Sequence, residues 1–152
     1  MLKLLATSTF VATVCLAADT EKQHKALASH PTPREWHRGA VWRFVTTPPS
    51  AKQKLEVLTF RVSEQPGVSC LGGWKDLWRK LVLVEGHVPF GSPTYEVEGR
   101  ALHINLSGSM CDDYDIIDGV LTGSEFTGRR TTFGLGASGQ VVGTVRGSCV
   151  RQ

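Results

Sequence analysis

The sequence predicts an all-β protein, a small antiparallel up-and-down β-barrel of about eight strands, with a β-sandwich as the alternative. Three observations carry that prediction. Apolar residues recur with a period of two, most clearly in residues 101–107, where Leu102, Ile104 and Leu106 alternate with His103 and Asn105. The segments showing this period are joined mostly by short links, and the chain holds 16 glycines among its 152 residues. Runs with a helical period are scarce. Sequential short links favour an up-and-down order over a Greek key.

Taken in order, the first strand begins after Gly39. Ala40, Trp42 and Phe44 alternate with Val41, Arg43 and Val45, and Pro48-Pro49 stops the run. Residues 55–62, rich in β-branched and aromatic side chains, form the second strand. A long connection over residues 63–76 holds Pro66-Gly67, Cys70 and Gly72-Gly73-Trp74. The third strand is residues 78–85, and two prolines and two glycines make residues 86–93 a loop. In the fourth strand Tyr95 and Val97 alternate with Glu96 and Glu98, and Gly99-Arg100 is short enough for a hairpin turn into the fifth. Residues 114–121, 126–133 and 140–147 complete the set, separated by Thr122-Gly123-Ser124 and a glycine-rich loop at 134–139.

One domain accounts for the length, with room for a core. Residues 1–17 read as a cleaved signal peptide: Lys3 gives a positive start, residues 4–16 carry no charge, and small residues precede a cleavage point after Ala17. The apolar run falls well short of the roughly 20 residues of a membrane span, and Val14 before Cys15 departs from a lipidation site. An exported protein, periplasmic or extracellular, without a stable membrane anchor is expected. Residues 18–38, ending in His30-Pro31-Thr32-Pro33, read as a flexible arm, and residues 39–152 as the barrel. His24, His30 and His37 fit no compact metal site and read as solvated arm residues.

A formal charge of +3 is that of an ordinary soluble protein, and no dense basic run with interleaved aromatics points to nucleic acid. With Cys15 removed, Cys70, Cys111 and Cys149 remain, so one disulfide and one free thiol are expected. If strands alternate up and down, Cys70 and Cys149 fall at one end and Cys111 at the other. Cys70–Cys149 is therefore the favoured bridge, with Cys70–Cys111 the alternative because Cys70 sits in a connection long enough to climb the wall.

The densest polar group is Asp112-Asp113-Tyr114-Asp115-Ile116-Ile117-Asp118. Asp112, Asp113 and Asp115 are a weak candidate metal site, but on a strand Asp113 and Asp115 share one face while Asp112 and Asp118 share the other. Turn capping and solvation are the better reading. No cofactor is expected. On the seventh strand Arg129 and Arg130 point to opposite faces, so one of them faces the lumen and needs a carboxylate, Asp118 or Glu98, or an anionic ligand. The preferred alternative is a wall twisted enough for both to reach water. Asn105-Leu106-Ser107 matches a glycosylation acceptor. Trp36, Trp42, Trp74 and Trp78 are good core fillers. With Arg130, the last three are also the best candidates for ligand contacts at a barrel mouth.

Gly72-Gly73-Trp74 resembles the G-x-W signature of calycin barrels, the lipocalins and avidin-type proteins, although here two strand-like segments precede it. The resemblance implies a tryptophan plugging one end of the barrel, an arginine from the last strand (Arg146 or Arg151) packed over it, and either small-ligand binding or docking on a protease. Three functions follow in order of expectation. The first is an exported, non-enzymatic barrel holding a small hydrophobic or amphipathic ligand. The second is a protein-binding barrel such as a hydrolase inhibitor. The third is a hydrolase using the carboxylates of residues 112–118, for which no nucleophile–base pair is evident.

Overall fold

A computed structural model describes residues 30–71, 77–134, 136 and 138–151. Eight strands form one closed antiparallel barrel in sequential order: β1 (Val41–Thr47), β2 (Glu56–Pro66), β3 (Arg79–Glu85), β4 (Thr94–Glu98), β5 (Ala101–Asn105), β6 (Asp113–Thr122), β7 (Glu125–Gly134) and β8 (Gln140–Arg151). The predicted fold class is the observed one. Closure removes the sheet edges that a flat meander of this length would leave unpaired. The segment expected to be the signal peptide lies outside the described residues.

The period of two sets the core. On β1, Trp42, Phe44 and Thr46 are buried while Arg43 and Thr47 are exposed. Leu58, Phe60 and Val62 of β2 face the same interior, as do Leu102 and Ile104 of β5, Ile117 and Leu121 of β6, Phe126 of β7 and Val145 of β8. Space for the aromatic rings comes from glycine. Gly119 and Gly128 oppose each other across β6 and β7, and a Cβ would lie 2.5 Å from the Phe126 ring at the first and 2.7 Å at the second. The β6–β7 turn is two residues long, and Gly123 takes the positive φ of 57° that such a tight hairpin requires.

Two strands run further than the hydrophobic pattern suggested. β2 continues past a bulge to pair Pro66 with Arg79, and β8 continues along β1 to pair Arg151 with Val41. The barrel also begins earlier than residue 39. Within the segment read as a loose arm, residues 33–36 form a turn closed by Trp36 N–H to Pro33 O at 3.0 Å, and Trp36 is buried in the core cluster. Its ring lies 5.2 Å from Trp42 and 5.3 Å, edge-on, from Tyr95. Trp42 Nε1 then donates to Glu35 O at 3.1 Å, fixing the turn across the barrel end where β1 starts. Burying these large rings repays the ordering of a short, proline-flanked segment.

The bridge joins Cys70 to Cys111, with Cα atoms 5.3 Å apart, and Cys149 is the free thiol. The favoured Cys70–Cys149 pairing is thus corrected to its alternative. The reason is stagger. β4 meets β3 only at its beginning, through Arg79↔Tyr95 and Lys80↔Thr94, so the β4–β5 hairpin is slid toward the end where β3 starts. The link between β5 and β6, nominally at the far end, thereby comes level with the β2–β3 connection. That connection passes outside the wall, where Asn105 Nδ2 donates to Ser69 Oγ at 2.9 Å. The bridge closes a loop of 41 residues, and replacing Cys111 by serine is expected to cost about 2–4 kcal/mol. Denaturant titration against the Cys149→Ser variant, which should stay within about 0.5 kcal/mol of the parent, checks this.

Candidate functional site

The interior is where a ligand-binding barrel would hold its ligand, and here it is occupied by side chains. Trp42 is 0 % exposed and stacks on Phe44 at 6.3 Å; Phe44 meets Phe60 at 6.0 Å and Phe126 edge-on at 5.3 Å. Each spacing is that of rings in contact. Of the tryptophans considered as ligand contacts, Trp42 is central core and Trp78 is buried beside the β2–β3 connection, its Nε1 without a hydrogen-bond partner. Trp74, with Gly72 and Gly73, lies outside the described residues. Among the described residues, Trp36 packs on Trp42 and Tyr95 where β1 starts, while Arg146 and Arg151 are exposed.

Arg130 is the lumen-facing arginine. It is only 6 % exposed, and its mate is Asp115, not Asp118 or Glu98; it does not reach water as preferred. Nε donates to Asp115 Oδ1 at 2.7 Å and Nη2 to Oδ2 at 2.6 Å, a bidentate pair. Nη1 lies 2.7 Å from Glu56 Oε2 as an ion-pair contact, without the alignment of a hydrogen bond. Burial disfavours the charged guanidinium, but the hydrogen bonds to Asp115 and the nearby Glu56 carboxylate outweigh it and raise the pKa above its ordinary value. With Asp115 held this way, the Asp112, Asp113 and Asp115 cluster is divided: Asp112 and Asp113 are exposed, and Asp115 is turned inward onto a cation. Among the described residues no group of three or more potential ligands converges as a metal site.

Asp118 faces outward, opposite His103 in the β5–β6 register. His103 Nδ1 and Asp118 Oδ1 are 2.6 Å apart. The hydrogen bond to Asp118 raises the His103 pKa above 6.5, against a smaller lowering by burial. A raised folded-state value means that the pair's stabilisation is complete below about pH 6.5 and is lost as pH rises through the higher folded value. Asp118→Asn is therefore expected to destabilise the protein at pH 6 and to have almost no effect at pH 9. Unfolding free energies at the two pH values check this; an equal loss at both would sink it.

The glycosylation motif is consumed by the fold. Asn105 and Ser107 are buried, and Ser107 Oγ accepts from Asp115 N–H at 3.0 Å. Exposed apolar side chains lie instead on the outside. Val68, Leu71 and Met110 lie within two residues of the bridged cysteines in sequence, Leu77 lies just before β3, and Val82 and Val84 project from β3. A small polar cleft is lined by Arg38, Ser63, Glu64 and Gln65.

Fold and interior together define a class: an eight-stranded up-and-down barrel with a filled aromatic core and a half-exposed disulfide clasping two connections on its outer wall. Comparison with family models, curated proteins and solved structures finds no match for the chain. A disulfide is consistent with an oxidising, exported environment, and among the described residues no helix is long and apolar enough to cross a membrane.

Proposed function

We propose that this is an exported, non-enzymatic barrel that acts by binding another protein on its outer surface, in the manner of a secreted hydrolase inhibitor, rather than a small molecule in its lumen. The observation that carries the reading is the filled interior. A lumen that admits a ligand needs inward positions left open, and here Trp42, Phe60 and Phe126 each pack on Phe44 inside the barrel, all four at most 1 % exposed. Export is supported by the residue 1–17 pattern together with the Cys70–Cys111 bridge. Against catalysis stands the use of Asp115 as the counter-ion of Arg130, which removes it from any pair of carboxylates free to exchange protons.

Native mass spectrometry of the protein taken from the cells that make it, with calorimetric titration of decanoate, tests the choice. The expected result is a chain alone or with a protein partner, and no stoichiometric uptake of decanoate. A one-to-one small-molecule adduct released only on unfolding would overturn the reading.

A further inference from the structure

The net charge of +3 conceals a segregation of charge around the barrel. Outward positions on β4, β5 and β6 carry Glu96, His103 and Asp118, side by side in the register. Outward positions on β1, β2 and β3 carry Arg43, Arg61 and Lys80, all exposed. Arg43 lies opposite Thr59, two residues from Arg61; Arg61 lies opposite Val82, two residues from Lys80. Such diagonal neighbours on a sheet stand about 7–8 Å apart, so the three cations form one continuous surface. No ion pair joins them to a carboxylate among the described residues. Glu85, the acid nearest in register, accepts the Thr59 hydroxyl at 3.0 Å, and Glu56 is 2.7 Å from Arg130.

Exposed apolar side chains lie among these cations. Val82 is 47 % and Val84 51 % exposed, on the same strand as Lys80. Arginines interleaved with apolar side chains are the composition of protein interfaces. Planar guanidinium groups also suit bidentate recognition of carboxylates. Stacking on nucleic-acid bases needs exposed aromatic rings, and the aromatic residues of these three strands, Trp42, Phe44 and Phe60, all point into the core. We infer that the outer wall of β1, β2 and β3 is the docking face, and that its partner is a protein presenting carboxylates around an apolar centre. The inference rests on the protein-binding reading above and adds to it the face and the partner's chemistry.

A labelled glutamate-rich peptide serves as a defined probe, with duplex DNA and phosphatidylglycerol vesicles as competing polyanions. R43E/R61E is compared with R34E/R129E, which changes the net charge equally from outside this wall. The expected result is salt-sensitive peptide binding that weakens about tenfold or more in R43E/R61E and less than about twofold in R34E/R129E. Equal weakening in both would mean that only net charge acts, and would overturn the proposal. So would binding to DNA or vesicles lost only in R43E/R61E with no binding of the peptide.

A photoreactive residue at Val82 or at Val120 then distinguishes the two levels in an extract of the cells that make the protein. Adducts with an acidic protein from the Val82 probe, lost in R43E/R61E, support the face. Protein adducts from Val120 alone would keep the protein-binding reading and discard this face. Adducts from neither position, with a small molecule in the native mass spectrum, would discard both.

Discussion

Replacing Asn105 by alanine is expected to cost about 4 kcal/mol of folding stability, an unusually large effect for a polar residue. Asn105 is 0 % exposed, and three hydrogen bonds converge on its amide. Nδ2 donates to Ser69 Oγ and to Gly108 O, both at 2.9 Å, and Oδ1 accepts from Ser107 N–H at 3.0 Å. Truncation leaves a buried backbone donor and a buried backbone acceptor with nothing to replace water, each costing about 1–3 kcal/mol, and opens a small cavity besides. Asn105→Asp keeps the shape but loses both donors and sets a buried carboxylate against the Gly108 carbonyl, with only the Ser69 hydroxyl able to turn and donate, so it should be no better. Ser69→Ala removes only one partner and should cost about 1 kcal/mol.

The amide ties together the same two connections that the Cys70–Cys111 bridge joins, so the two constraints should couple. A double-mutant cycle between Asn105→Ala and Cys111→Ser should give an interaction energy above about 0.5 kcal/mol. Unfolding under oxidising conditions measures the single variant. A loss below about 1 kcal/mol would mean that water reaches the site and satisfies the orphaned groups.

The strands were legible because the information is local. In β1 and β5 apolar side chains alternate at Trp42 and Phe44 and at Leu102 and Ile104, and that says which of them meet inside. The Cys70–Cys111 bridge was not legible as the favoured pairing. It depends on how far β4 slides along β3, and that register is set by two residue pairs whose choice leaves no mark in the sequence. The docking face was hidden for a related reason. Arg43, Arg61 and Lys80 sit in separate strands, and only the order of pairing makes them neighbours. Trp36 was masked by its surroundings, since prolines and histidines just before it read as an unstructured arm.

The partner of Arg130, by contrast, was within reach of the alternation. Ile117 faces Arg130 directly across β6 and β7, so Asp115, two residues away, shares its face. Asp118, on the other parity, has to point outward, where it meets His103. Parity along one strand was a better guide than proximity in sequence.

That pair sets the second large expected effect. Arg130→Met should destabilise the protein by about 3–5 kcal/mol, because it leaves the Asp115 carboxylate inside the barrel with no cation. Asp115→Asn should cost a similar amount by stranding the guanidinium. Glu56 contributes little: its side chain is 44 % exposed and its contact with Nη1 is not an aligned hydrogen bond, so Glu56→Gln should stay within about 1 kcal/mol. The double change Arg130→Met with Asp115→Leu removes both charges together and restores apolar filling, and should recover most of the loss or exceed the parent. Chemical denaturation of the parent, Arg130→Met, Asp115→Leu and their double variant closes the cycle. If the double variant is as unstable as the sum of the singles, the pair is not an isolated ionic contact. The pair would then also be holding β6 in the position where the Asp115 backbone amide donates to the Ser107 hydroxyl and its carbonyl accepts from Leu106 N–H.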